Sequence, residues 1–290
     1  MNYFEYIHQK NCRNDNDKKV CEFWHNIILS KAKENNWLEY KEEEFLNRLN
    51  SSFNQYAWEL YLAYKLNTKG LPIKRHISPK GGPDFYIDYQ DYKIWIECIS
   101  VTEGTKQNTV PSRSIQLATA SEIELFEYPS NEIKLRITSG LSDKIKKIKK
   151  YKTNEIIHQN DLYIIAINYS DALSGYIDQD DNGIPIATSV IYGIGERTWI
   201  YNGQDCKSVT PSCKSLTKAN DETISLNFFK DPNLIGIISC NSDLWHSVIN
   251  RSDSLFNYHS NPKMKKKIFK PNLFNQFFIK ENSTIKNINF

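Results

Sequence analysis

The sequence predicts an α/β fold, a mixed central β-sheet flanked by helices, and three features carry that expectation. Two continuous apolar runs, DLYIIAINY at 161–169 and NLIGIISC at 233–240, have the character of strands covered on both faces. Residues 84–97, DFYIDYQDYKIWIE, alternate around a turn centred on Gln90–Asp91 and read as a hairpin. Helical patterns stand on either side of that hairpin. The order is therefore helix, hairpin, helix, strand and later strand.

Taken in chain order, residues 18–48 look helical and mixed in polarity, with Trp24, Ile27, Ile28 and Trp37 as packing residues. A second helix over 53–67, FNQYAWELYLAYKLN, is far more apolar and stops before Gly70 and Pro72. IKRHI at 73–77 reads as a strand, the SPKGGP loop follows, and then the hairpin. Residues 101–130 show few periodic apolar positions and read as a long excursion beside it. The helix that follows spaces Ile133, Ile137, Leu141, Ile145 and Ile148 by four and three residues. Between the two buried strands, YIDQDDNGIP and a polar segment read as hairpins and loops. The organisation expected is a helical N-terminal extension over 1–50, a core over 51–245, and a basic, aromatic segment over 246–290 packed on that core.

At 290 residues, with 40% hydrophobic and 13% aromatic content, the chain can bury a substantial core. The formal charge of +3 is too mild to declare a nucleic-acid binder. Basic residues do cluster at 144–152 and 263–270, where such runs are solvated faces or phosphate contacts. Six cysteines at 12, 21, 98, 206, 213 and 240 match no zinc or disulfide framework and read as reduced thiols. The N-terminal residues show no signal-peptide pattern, and no apolar run approaches the ~20 residues that span a bilayer, so a cytoplasmic protein with no membrane partner is expected. The six histidines show no metal-ligand spacing, and His76 alone lies near the hairpin. YGIGER at 192–197 lacks the third glycine of a dinucleotide fingerprint and reads as a turn, as does DQDDNG at 178–183.

The hairpin concentrates the chemistry. With the turn at Gln90–Asp91, Phe85 faces Ile96, Ile87 faces Ile94 and Asp88 faces Lys93, which makes one face wholly apolar. One step further Asp84 faces Glu97, with Cβ atoms roughly 4.5–5.5 Å apart. Two ionised carboxylates that close repel, and they share a proton or hold a cation. Mg²⁺ takes one or two carboxylates completed by waters and phosphate oxygens. The plain alternative is an Asp in a turn and a Glu facing solvent. Glu59 is the only charged residue in YAWELYLAY, on a helix apolar nearly all round. It either pairs with Arg75 or Lys74, or completes a three-carboxylate site.

The Glu59 helix, GPDF at 82–85 and IWIEC at 94–98 together resemble the PD-(D/E)XK nuclease superfamily, over residues 53–100 by motif and loosely to 170 by element order. The resemblance implies a restriction-endonuclease-like core and a metal-dependent endonuclease acting on DNA ahead of RNA. It implies Asp84, Glu97 and the carbonyl of Cys98 as ligands of Mg²⁺ or Mn²⁺, with Glu59 supporting them. Its lysine would stand at position 99, where this chain has Ile99. The family tolerates relocation of that lysine to the next helix, and Lys144 lies at the edge of the apolar stripe there, able to reach back towards the sheet. Arg136 and Lys147 on the same flank are expected to meet phosphates, and Lys80 is a further candidate. The alternative reading is a catalytically inactive module of the same fold that binds nucleic acid or a protein; a homodimer is left open.

Overall fold

The structure, a computed structural model, describes residues 15–38, 44, 47, 52–104, 109–111, 128–244, 256–263, 275–279 and 285–288, apart from positions 90, 175, 181, 202, 204, 219–221 and 227. Most of the expected 101–130 excursion, and the basic run beyond residue 263, lie outside these residues.

The described residues open with α1 (Asp15–Phe23), a π-helical turn (Trp24–Leu29) and α2 (Ser30–Glu34). The expected helix over 18–48 is cut at Asn35–Asn36, where Asn36 adopts φ 55° and the Trp37 amide turns back to the Ala32 carbonyl. Asparagine tolerates that left-handed geometry and ends helices for that reason. Trp24, Ile28 and Trp37 are buried, while Ile27 faces solvent, since neighbouring helical residues cannot share a face. Helix α3 (Phe53–Thr68) then leads into β1 (Lys74–Arg75), β2 (Phe85–Tyr89) and β3 (Tyr92–Ser100). The strand expected over 73–77 shrinks to two residues because its partner starts only at Phe85, after Pro83, which has no N–H for a ladder.

Helix α4 (Ser130–Thr153) crosses back to β4 (Leu162–Asn168), followed by the short helices α5 (Ser170–Leu173) and α6 (Ile186–Tyr192). Two small antiparallel ribbons follow, β5 (Thr198–Tyr201) with β6 (Cys206–Val209), and β7 (Ser215–Thr217) with β8 (Thr223–Ser225). Gly193 closes α6 at φ 64°, and a Cβ there would come within 2.5 Å of the Cys213 carbonyl, so YGIGER is the turn that was expected. DQDDNG is a turn as well: Asp180 accepts the amides of Asn182 and Ile184 and the hydroxyl of Ser189. The chain continues through β9 (Leu234–Cys240), β10 (Phe256–Ser260), β11 (Asn275–Ile279) and β12 (Ile285–Ile288).

Eight strands form one mixed sheet in the order β1-β2-β3-β4-β9-β10-β11-β12. The first three make an antiparallel meander, and β3, β4 and β9 run parallel. Alternation along β4 divides the core. Leu162, Ile164 and Ala166 face α3 and the N-terminal helices, where the Trp58 indole donates to the Ala166 carbonyl at 3.0 Å. Tyr163, Ile165 and Ile167 face α4, α5 and α6. The α/β class with helices on both faces is as expected. Among the described residues no helix is long and apolar enough to cross a membrane.

Candidate active site

The hairpin register is the one read from the sequence: Phe85 pairs with Ile96, Tyr86 with Trp95, Ile87 with Ile94 and Asp88 with Lys93. Phe85, Ile87, Ile94 and Ile96 are all buried against α3. Trp95 therefore projects to the opposite side, into the α4 layer, and Glu97 shares its face.

Asp84 does not continue the ladder. Its carbonyl accepts the His76 amide at 3.0 Å, and its Oδ2 accepts the Cys98 amide at 2.7 Å. The expected Asp84–Glu97 cross-strand pair is thus not part of the ladder, which starts at Phe85–Ile96; the Asp84 side chain instead takes up the Cys98 amide next along β3. From there its charge acts on Glu97 and Glu59 alike. Asp84 is half-buried.

Glu97 is 2% exposed, and its Oε1 accepts a hydrogen bond from Lys144 Nζ at 2.7 Å. Its Oε2 is buried with no hydrogen-bond partner. Burial, then the Asp84 charge, push Glu97 up to about 7, with the Lys144 ammonium pulling the other way. Burial acts to lower Lys144, yet the charges of Glu97 and Asp84 outweigh it and hold the ammonium at about 12. Lys144 is itself only 8% exposed. Two features place it there. Four helical residues earlier, Gly140 lets α4 settle onto the sheet: a Cβ would lie 2.6 Å from Val101 Cγ1. The stripe of Ile133, Ile137, Leu141 and Ile148 fixes the helix rotation, with all four buried.

On the other side of the sheet Glu59, 4% exposed, is held by Arg75 Nη1 at 2.6 Å and by Gln55 Nε2 at 2.8 Å. Both carboxylate oxygens meet protein donors, so of the two sequence readings the Arg75 pairing is the one formed. Burial and the Asp84 charge still raise Glu59 to about 7 against the pull of Arg75. Gln55, which sequence reasoning missed, ties Glu59 to the strand. Its Nε2 reaches the Cys98 carbonyl at 3.4 Å, and its Oε1 accepts the Ser100 amide at 2.8 Å. The position one helical turn before Glu59 was the available signal.

The remaining candidates divide. Lys147 is exposed, and its charge acts on Glu97. Arg136 clasps the chain after β3, with Nε on the Thr102 carbonyl at 2.9 Å and the guanidinium 3.0 Å from where a Cβ would lie at Gly104. Lys80 is exposed, its amide on Ser78 Oγ, and no contact brings it to the acids. The Cys98 thiol is buried and pushed well up by that burial, so only its carbonyl is a candidate ligand. His76 stacks edge-on against Trp95, ring centroids 5.1 Å apart, and burial lowers its pKa.

Among the described residues no group of three or more His, Cys, Asp or Glu side chains is placed to hold a metal ion. What converges is smaller: two carboxylates, a main-chain carbonyl and one ammonium. The three acceptors in that set are all oxygen, and a carboxylate oxygen buried without a partner fits a hard divalent cation. Comparison of the chain with family models, with curated proteins and with solved structures finds no match.

Proposed function

We propose that the chain is a metal-dependent phosphodiesterase, an endonuclease acting on DNA, built on a restriction-endonuclease-like core. The observation that carries this reading is Glu97. A carboxylate is buried with one oxygen on an ammonium and the other unpaired, beside a second carboxylate at the open edge of a strand. The succession of α3, the β1–β3 meander, α4 and parallel β4 supports it, because that is the element order of the family the motifs resemble.

Asp84, Glu97 and the Cys98 carbonyl would hold Mg²⁺ or Mn²⁺. Such an ion supplies an acidified water and offsets charge on the scissile phosphate. The rest of the work falls to the chain. Gln55 and the Cys98–Asp84 hydrogen bond fix the edge of β3, so the ligand oxygens are positioned before substrate arrives. Lys144 stays protonated at any working pH and keeps a positive charge on the Glu97 side of the site, in the role of the missing lysine at 99. Exposed lysines along α4, Lys147 among them, track the phosphate backbone.

Calorimetric titration of the metal-free protein with Mn²⁺ tests the site without relying on turnover. Wild type is expected to bind, with Asp84→Asn and Glu97→Gln each losing at least tenfold in affinity while circular dichroism stays unchanged. Equal binding by wild type and both variants would remove the site from these residues.

A second reading has its own support. Ile99 replaces the family's lysine, and both Lys144 and Glu97 are buried. Those facts favour a non-catalytic module that binds nucleic acid or a protein. It would bind equally well with metal and in a chelator.

A further inference from the structure

The β5–β6 ribbon departs from the rest of the described surface. Trp199 is 63% exposed, Ile200 54% and Tyr201 72%, and both strands are exposed along their whole length. Large exposed aromatic rings gathered at one place on a surface mark a contact site. Its base is rigid: the Gly195 amide bonds the Pro211 carbonyl, the Cys213 amide bonds the Gly193 carbonyl, and Ile194 bridges Ser212. Leu216 and Leu226, just beyond it, pack in the α4 layer. The ribbon thus rises from the same side of the sheet as Glu97 and Lys144.

The register divides its two faces. Trp199 pairs with Ser208 and Tyr201 with Cys206, so the two rings share one face with small neighbours that leave their planes accessible. Thr198, Ile200, Lys207 and Val209 share the other. Two residues along a strand separate the rings by about 6.8 Å. Bases in a duplex strand repeat every ~3.4 Å, so two such rings match bases drawn apart along an extended strand, one on each ring. Arg197, Lys207 and Lys214 are exposed around the ribbon. The acids there are Glu196, which leans 3.9 Å from Lys134, and Asp205 near the tip.

We propose that the β5–β6 ribbon is a stacking platform for single-stranded nucleic acid, with Trp199 and Tyr201 each taking one unpaired base and Arg197 and Lys214 meeting the backbone. This rests on the nuclease reading for its biological sense and names the substrate class of that site: single-stranded or locally opened strands ahead of intact duplex. A protein partner for the same patch is a different outcome of the test.

The test is the equilibrium binding of a fluorescein-labelled twenty-nucleotide oligo-dT, and of a duplex of equal length, in EDTA. Wild type and Trp199→Ala/Tyr201→Ala are compared, with circular dichroism as the check on folding. The proposal expects the ribbon variant to bind oligo-dT at least tenfold more weakly, and the duplex to be bound more weakly than oligo-dT by wild type. A second variant, Trp199→Phe/Tyr201→Phe, should retain most of the affinity because the stacking faces remain. Equal oligo-dT affinity in wild type and the alanine variant overturns it, as does wild type preferring duplex. So does sedimentation showing that the alanine changes only abolish a dimer. Because EDTA removes the metal, failure here leaves the cleavage reading standing, and wild type that binds oligo-dT in this way but cuts no DNA leaves this one standing.

Discussion

At Glu97 and Lys144 the chain places opposite charges 2.7 Å apart inside the α4 layer, and each is costly without the other. Lys144→Met should destabilise by roughly 3–5 kcal/mol in urea unfolding, since it strands a carboxylate that already lacks a partner on Oε2. Glu97→Gln/Lys144→Met should recover most of that loss. If the double variant is as unstable as the single, the pair is not the source of the cost. Proton linkage gives a second expectation. Glu59 and Glu97 have folded-state values near 7, above the ordinary 4.5, so each holds its proton more tightly in the folded chain. Their contribution to stability is full below pH 4.5 and is lost as pH rises through about 7. Urea midpoints should therefore fall over that window, more shallowly in Glu97→Gln, and added Mn²⁺ should stabilise more at pH 8 than at pH 5. Much at this scale was legible. Lys144 could be found because a helical stripe has edges, and Glu59 with Arg75 because a buried acid needs a partner. Gln55 was legible only as a neighbour one helical turn before Glu59; an amide carries no charge pattern that says it also reaches the strand. That Arg136 also bonds the chain after β3 was not legible, because helical flank alone cannot show which segment folds under it.

Helix α4 and the β2–β3 hairpin bring the site together from sequence-distant parts, and Gly140 sets their distance. Gly140→Ala would drive a Cβ to within 2.6 Å of Val101, a contact that α4 relieves only by lifting. The expected cost is about 1–3 kcal/mol, with a weaker Lys144–Glu97 contact and lower Mn²⁺ affinity. An unchanged affinity beside an unchanged Tm would mean that the helix does not set the site. The hairpin register was readable because a one-residue slip would turn Phe85, Ile87, Ile94 and Ile96 to the wrong face. Its end was not readable. Where β2 leaves β3 depends on Pro83 and on the His76–Asp84 backbone contact, a tertiary pairing that no local period encodes.

For the molecule as a whole, the two apolar runs at 161–169 and 233–240 declared buried parallel strands, and they form the middle of the sheet. The strands beyond them, β10 to β12, were not anticipated, because aromatic and basic residues without a period give no strand signal. The small helices and ribbons between β4 and β9 were only partly seen. One side of the sheet is a structural layer of tryptophans from α1 to α3. The other carries α4, Glu97 with Lys144 and the exposed ribbon, so the proposed binding and the proposed chemistry share that side. The central claim is metal-dependent cleavage by Asp84, Glu97 and Lys144, and plasmid nicking tests it most directly. Supercoiled plasmid and single-stranded circular DNA are incubated with Mg²⁺ or Mn²⁺ and wild type, Asp84→Asn or Lys144→Met, the variants checked for folding. The account predicts nicking by wild type that EDTA abolishes and a loss of at least a hundredfold in both variants. Wild type that cuts neither DNA with either metal, or folded Asp84→Asn that cuts as well as wild type, would contradict it.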